Sequence, residues 1–350
     1  MAMKRIQPLL TRLQLSRVKL ATQRQYFIAL VQFLGWLLED RVVTRSREQL
    51  DALLINRVQC LWEDGAPRAL AQRTLQALVW AVPELKGKMA ASFPGTSAAL
   101  AGWTREEPGM SKPPIPLIVQ RALSMDLLEH AHPIASLALT FLFETYFRVS
   151  EGLATTADSV IPAAPSMAGT SQSVAILALP SEMETTGKTG ETDLSVLLDL
   201  PRQKKLGLVL ELLAATKKNE ERLLPISYDE LRKALMTSAA RLGLTGLHMT
   251  LHGLRHGGPS HDRSSNSRSA AEIQLRGGWR QAASTKRYEK TARLNKQLAL
   301  IPAAVKDRVY QMAQAYDERF VELYTMPLQL LPQAASSSKC LQDLGGSLRR

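Results

Sequence analysis

Residues 134–147 read IASLALTFLFETYF, a helix-length and strongly apolar run. A stretch of that kind has no solvent face. It must lie in the centre of a domain, and it predicts a buried helix over about 133–147. It ends in Arg148-Val149-Ser150-Glu151. An arginine delivered at the end of a buried helix is costly unless its charge meets an acid or an anion. Arg148 therefore either pairs with Glu144 or Glu151 or serves an anionic ligand. One segment thus fixes both a core and a place to look for a site.

The rest of the chain arranges itself around that helix. In residues 10–40, Leu20, Phe27, Leu30, Phe33, Leu34 and Leu37 form an apolar stripe, with Thr22 as a helix-start signal. Two more helices are expected at about 46–63 and 67–82, the second opened by Pro67 and closed by Pro83. These make an all-α domain over 1–102. From Lys86 to Pro116 the sequence turns rich in Gly, Pro and Ser. Its second half, 103–114, reads as a linker stiffened by Lys112-Pro113-Pro114. A second domain over 115–300 opens with a helix at 115–130. The runs VAILALP (174–180) and LSVLLDL (194–200) are short, apolar and bounded by turn-formers, so they read as strands. Their connection carries Gly187-Lys188-Thr189-Gly190. Helices follow at 205–215 and 228–242, the latter ending at Gly243. A C-terminal helical segment, 301–333, holds an amphipathic helix at 303–324 with Val305, Val309, Met312, Tyr316, Phe320 and Leu323 on its stripe. It docks either on its own domain or on another copy. The tail 334–350 is Ser-rich and basic, the composition of a disordered segment. The fold class is α+β: mainly α, with a small β-hairpin or sheet in the C-terminal domain.

Charge narrows the partners. The net charge is +12 and the pI about 9.8, which favours nucleic acid over an anionic membrane surface. With 45% hydrophobic and 22% charged residues the chain reads as soluble and globular. The N-terminus lacks the apolar run of a signal peptide, and no segment offers the ~18 apolar residues of a membrane span. Cys60 and Cys340 are far apart, so neither a disulfide framework nor a metal-ligand pair is expected. The six histidines show no metal-binding spacing, and no cofactor is implied.

The chemistry concentrates between Leu247 and Lys296. His252 and Arg255 are three apart and share a face on a helix. Gly277-Gly278 makes a turn before Trp279, and Tyr288 follows nine residues later. From 248 to 296, ten Arg and Lys oppose three Asp and Glu, a local net charge of +7. That is a footprint for a polyanion. Histidine beside arginines suits a phosphoryl group, because the guanidinium fork pairs with phosphate oxygens.

The string HGLRH, then GGW, then a Tyr at this distance, resembles the catalytic core of the tyrosine recombinases, phage-integrase-like enzymes that break and rejoin DNA. Arg148-Val149-Ser150-Glu151 is similar to the first arginine box of that family. Thr22, Tyr26, Leu30, Phe33 and Trp36 resemble the first helix of its core-binding domain. The resemblance implies an N-terminal DNA-clamping domain and a catalytic domain, and it implies roles. Arg148 and Arg255 would clamp the phosphate. Tyr288 would attack it and form a covalent 3′-phosphotyrosine. His252 would handle the nucleophile's proton or steady the phosphoryl group. Lys188, on the hairpin, would protonate the leaving oxygen, Trp279 would donate its indole N–H or pack, and Glu151 would orient its neighbours. Arg276, Arg280, Lys286, Arg287 and Lys290 would hold DNA. With such basic neighbours Tyr288 is not expected to be deeply buried. No metal is needed. The implied partner is double-stranded DNA, engaged by a homo-oligomer, a tetramer on DNA, in the nucleus of a eukaryote or the nucleoid of a prokaryote. A mobile element is a candidate source. Two alternatives stay open: an inactive DNA-binding derivative and a tyrosine topoisomerase. The sequence departs from the family at Gly257-Gly258-Pro259, which is expected to interrupt the helix after HGLRH, leaving Asp262–Ser269 polar and mobile.

Overall fold

The computed structural model describes residues 11–39, 44, 46–82, 85, 92–108, 112–163, 173–179, 194–288 and 291–329. The chain divides into two units, Met1–Ser111 and Lys112–Arg350. In the first, α1 (Leu20–Glu39), α2 (Arg47–Glu63), α3 (Arg68–Ala81) and α4 (Pro94–Glu106) pack as α1 on α3 and α2 on α4. Phe33, Leu54, Leu75, Leu78 and Phe93 form one small core, and Val58, Leu61, Ala71 and Trp103 another.

Helix α4 corrects an expectation. The composition change after Lys86 pointed to a linker from 103, yet residues 103–106 are helical and Trp103 is buried. Pro94 occupies the first helical turn, where a missing N–H costs nothing. The cap comes from another helix: Asp51 of α2 accepts from the N–H groups of Gly95 and Thr96, each at 2.9 Å. A cap supplied across the fold leaves no local sequence signal.

The second unit is built on α5 (Leu117–Glu129) and α6 (Pro133–Thr145), an antiparallel pair with α6 buried throughout from Ala135. The expected central helix is present. Three antiparallel strands follow, β1 (Val160–Ile161), β2 (Ala175–Leu179) and β3 (Leu194–Leu197), in the order β1-β2-β3. Val160 pairs with Ile176 and Ile176 with Val196, and all three are buried, while Ile161 and Leu197 are exposed. The period of two puts one face on the core. Lys188 and its turn lie outside the described residues. Helices α7 (Pro201–Ala215), α8 (Tyr228–Arg241), α9 (Leu251–Ser264), α10 (Ala270–Arg276), α11 (Ala292–Ala299) and α12 (Ala303–Gln329) complete the unit. Among the described residues the chain is therefore mainly α with one small antiparallel sheet, and no helix is long and apolar enough to cross a membrane.

Helix α12 docks on its own unit, against α5 and α7. Val309, Met312, Tyr316, Phe320 and Tyr324 are buried, and Val305 and Leu323 pack half-buried against the same core, so the expected stripe is present with Tyr324 added to it. The Tyr316 hydroxyl meets Thr140 Oγ1 and the Tyr324 hydroxyl meets Ser136 Oγ, both at 2.6 Å on α6. The tail 334–350 lies outside the described residues.

The interruption expected at Gly257-Gly258-Pro259 does not occur. Helix α9 runs through Pro259, against α6. A Cβ at Gly257 would stand 2.1 Å from the Ile115 carbonyl oxygen, and one at Gly258 2.1 Å from that of Phe143. The glycines let two backbones touch, and that packing outweighs the ladder bond which Pro259 removes. Nor is Asp262–Ser269 uniformly loose. Asp262 and Arg268 are both buried, and they are paired with each other at 3.5 Å.

Candidate active site

Helix α6 ends at Thr145 with Tyr146 in the left-handed region, φ 62°. A non-glycine residue there carries strain of about 1 kcal/mol. Its side chain is held: the Tyr146 hydroxyl donates to the buried carboxylate of Asp262 on α9. This reversal turns the chain so that Arg148 caps a single helical turn, Val149–Gly152. Glu151, in that turn, accepts from the Arg148 N–H at 2.8 Å and from its guanidinium. The Arg148 side chain stays 23% exposed.

Helix α9 brings the second arginine. Thr250 caps it by accepting from the Gly253 N–H at 3.2 Å. Arg255 follows on the inner face, 3% exposed. One arm of its guanidinium donates to the Tyr146 carbonyl and the other to the Gly277 carbonyl at 2.6 Å. Its plane lies over Trp279, 4.8 Å from the ring centroid, and Glu151 Oε2 stands 3.8 Å from one arm. Arg148 and Arg255 thus converge on one carboxylate. Burial pushes the Arg255 pKa down to about 10, and the like charge of Arg148 adds to this, against Glu151 and Tyr288. Arg255 remains a cation at neutral pH. Arg202 makes the contrast. Burial opposes its charge as well, but Glu144 and Asp262 flank it and carry its pKa upward. Arg202 is flanked by two carboxylates, whereas Arg255 shares Glu151 with Arg148.

The Gly277-Gly278 turn is needed twice over. The Trp279 ring folds back so far that a Cβ on Gly277 would meet it at 1.9 Å, and Gly278 has φ 58°. The N–H groups of Gly278 and Trp279 close α10 onto the carbonyls of Leu275 and Gln274, at 3.0 and 3.1 Å. This Schellman geometry aims the Gly277 carbonyl at Arg255.

Tyr288 sits on a 3-10 turn, Lys286–Tyr288, and packs with Tyr146, Ile273 and Trp279. Its ring centroid is 5.1 Å from that of Trp279. It is 3% exposed, which overturns the expectation that its basic neighbours would keep it near solvent. The tight turn separates them: Lys286 faces outward while Tyr288 faces inward. Its hydroxyl stands 3.0 Å from Nδ1 of His256. His256 was not singled out from the sequence, although it lies four residues after His252 and so on the same helical face. The two imidazoles meet edge to face at 4.5 Å, His256 buried and His252 exposed.

Of the residues expected to act together, Arg148, Glu151, Arg255, Trp279 and Tyr288 form one cluster, with His252 at its edge. Among those assigned to DNA, Arg280 and Lys286 are exposed. Arg276 is a correction. It is 7% exposed, spends its donors on the carbonyls of Glu144 and Leu197, and stacks on Tyr146 at 5.2 Å. It supports the wall of the site rather than facing a ligand. Lys188 and Lys290 lie outside the described residues, as does the side chain of Arg287.

Beneath the cluster is a layer of buried charge that sequence reasoning missed. Glu144 accepts from Arg121 and Arg202, each at 3.0 Å, and from Gln203 at 3.1 Å. Burial works against its ionisation, but Arg202 and Arg121 prevail and hold its pKa below the ordinary value. Arg202 also reaches Asp262, so α6, α7 and α9 are tied at one level.

No protein-family model matches the chain, and no curated protein matches it. Among solved structures it is similar to a lambda integrase (75–356) dimer bound to a COC′ core site, with 14% identity over 80% of this chain and 95% of that one, at a TM-score of 0.48. It is similar to the XerH site-specific recombinase bound to its difH substrate in a pre-cleavage complex, with 15% identity, coverage of 78% and 77%, and a TM-score of 0.48. It is also similar to XerA recombinase, with 15% identity, coverage of 81% and 92%, and a TM-score of 0.36.

Proposed function

We propose that the chain is a DNA-breaking and -rejoining enzyme of the tyrosine recombinase type. The observation that carries this reading is Arg255, a buried arginine fixed by two carbonyls and an indole, which shares the Glu151 carboxylate with Arg148. Such a pair suits the non-bridging oxygens of a phosphodiester, where negative charge grows during displacement. Tyr288 is the hydroxyl nucleophile of the same cluster. It attacks phosphorus, the covalent bond keeps the phosphodiester energy, and rejoining reverses the step without a high-energy cofactor. Lys188 supplies the proton to the departing 5′-oxygen, and exposed His252 steadies the phosphoryl group. Arg280 and Lys286, with Arg287 and Lys290, track the flanking backbone. The homo-oligomer on DNA, the site-specific substrate and a mobile-element origin belong to the same proposal, as does a place with the genome in nucleus or nucleoid.

One observation favours a second reading, DNA binding without cleavage: the Tyr288 hydroxyl is buried. Incubation with nicked suicide duplexes, followed by a denaturing search for protein–DNA adducts, separates the two. Adducts on one sequence only support a recombinase, adducts on any duplex a topoisomerase. Binding with no adduct on any duplex supports the non-cleaving protein.

A further inference from the structure

We infer that Tyr146 is a positioning residue for the breakage step, holding Arg255 through its backbone and Tyr288 through its ring. This rests on the cleavage reading above and adds to it the part of the fold that sets the two groups against one phosphate.

Tyr146 follows directly on α6, is fully buried, and takes a left-handed conformation that glycine adopts at no steric cost and tyrosine does not. Such strain persists only where the surroundings over-determine it. Three contacts do so here. The hydroxyl donates to Asp262, the Arg276 guanidinium lies over the ring at 5.2 Å, and the carbonyl accepts from Arg255. Burial, and then the charge of Asp262, push the Tyr146 pKa upward, so the hydroxyl keeps its proton and stays a donor. Asp262 is itself paired with Arg202, which Glu144 holds from α6. A hydroxyl bonded to an ionised acceptor makes one of the stronger protein hydrogen bonds. The tether runs from the buried charge layer through the ring to the Tyr146 backbone, whose carbonyl meets one arm of Arg255. The other arm is held by the Gly277 carbonyl at 2.6 Å, so Tyr146 supplies one of two points that fix the guanidinium plane. The same ring packs in one cluster with Ile273 and Tyr288. One buried side chain thus touches both groups that the reaction must bring together.

The consequence is a split between rate and affinity. Misplacing a reacting group by about 1 Å costs as much as about 10²-fold in rate. Without the hydroxyl, the strained backbone relaxes and the carbonyl shifts under Arg255, while the charge of Arg255 and the exposed cations are unchanged. Asp262 keeps Arg202 and Arg268 as partners, so its carboxylate is not orphaned when the hydroxyl goes.

The test uses the full chain, nicked suicide duplexes and two variants. Tyr146→Phe removes the tether and keeps the ring. Val309→Ala loosens the same unit from α12, in a different cluster from Tyr146. We expect Tyr146→Phe to slow adduct formation at saturating duplex by about 10–10²-fold, with the half-saturating duplex concentration nearly unchanged, and Val309→Ala to keep the wild-type rate. Proton exchange at the Arg255 guanidinium, followed by NMR, needs no cleavage. It should be slow in the wild type and in Val309→Ala, and faster in Tyr146→Phe. A wild-type saturated rate in Tyr146→Phe, a loss confined to affinity, an equal loss in Val309→Ala, or Arg255 exchange that Tyr146→Phe leaves unchanged overturns the inference. Absence of adducts from the wild type sinks the cleavage reading, and the exchange measurement then decides by itself whether Tyr146 holds Arg255. Should Tyr146→Phe fail to fold, Asp262→Asn, which keeps the acceptor's shape but not its charge, takes its place with the same outcomes. Wild-type Arg255 protons that exchange as fast as those of free arginine overturn the inference without any variant.

Discussion

Replacing Gly258 by Ala sets two effects against each other, and the structure says which wins. Inside a helix, Ala is favoured over Gly by about 1 kcal/mol. At Gly258, however, the new Cβ would lie 2.1 Å from the Phe143 carbonyl oxygen and 2.7 Å from the Tyr146 ring. Ordinary contact begins at 3.4 Å, so α9 must move back from α6 by roughly 1.3 Å. The obstacle is backbone, which cannot swing aside as a side chain can. Overpacking costs ~1–3 kcal/mol and sometimes more, and contact between two backbones belongs at the upper end. After the propensity gain is subtracted, Gly258→Ala should destabilise its unit by about 2 kcal/mol. The same substitution at Gly102, on α4 with nothing within 4 Å of the new Cβ, should stabilise its own unit by about 0.5–1 kcal/mol. Urea unfolding read on each unit's transition measures both. Because α9 carries Arg255, Gly258→Ala should also slow adduct formation. A Gly258→Ala protein as stable as the parent would refute the close-approach argument, and with it the explanation of why Pro259 is tolerated.

Other outcomes follow from the site. Arg255→Lys keeps the charge but cannot bridge the Tyr146 and Gly277 carbonyls while lying on Trp279, so adduct formation should fall about 10²–10³-fold, with duplex affinity falling far less; equal losses in both would make Arg255 a binding residue only. His261 has its pKa lowered by burial first and by Arg202 next. The folded protein therefore refuses a proton that the unfolded chain accepts, and this stability is present above about 6.5 and lost as pH falls through the lowered folded value. Denaturation midpoints should drop between pH 7 and pH 5, and His261→Gln should flatten that drop; an unchanged slope contradicts the assignment. Duplex affinity should fall steeply with salt, given the net charge of +12 and the basic stretch before Lys296; a flat response counts against phosphate contacts.

Much of this was legible in the sequence, for physical reasons that can be named. The apolar run before Arg148 could be nothing but a core helix. Short apolar runs bounded by turn-formers marked β2 and β3, and the resemblance of the Arg148, HGLRH, GGW and Tyr288 strings to the recombinase boxes grouped Arg148, Arg255, Trp279 and Tyr288. What escaped was set by contacts between distant segments. Helix α4 begins under a cap donated by Asp51, some forty residues earlier. Gly257 and Gly258 look like helix breakers until Ile115 and Phe143 are seen against them. Arg276 reads as a DNA ligand in a basic stretch, yet two carbonyls and Tyr146 consume it. Tyr288 was misjudged because charge in neighbouring residues says nothing about direction on a 3-10 turn. The layer of Glu144, Arg202 and Asp262 joins three helices and has no local pattern to find. His256 went unread, although its four-residue spacing from His252 puts the two on one helical face.

The most direct test of the account is the identity of the residue that joins DNA. The full chain is incubated with nicked suicide duplexes, the covalent species is digested, and the nucleotide-bearing peptide is mapped by mass spectrometry. The account predicts one adduct, on Tyr288, and its loss in Tyr288→Phe with duplex binding nearly intact, since that change removes one oxygen and leaves the arginines in place. An adduct on Tyr310, Tyr316 or Tyr324, or its persistence in Tyr288→Phe, would contradict it.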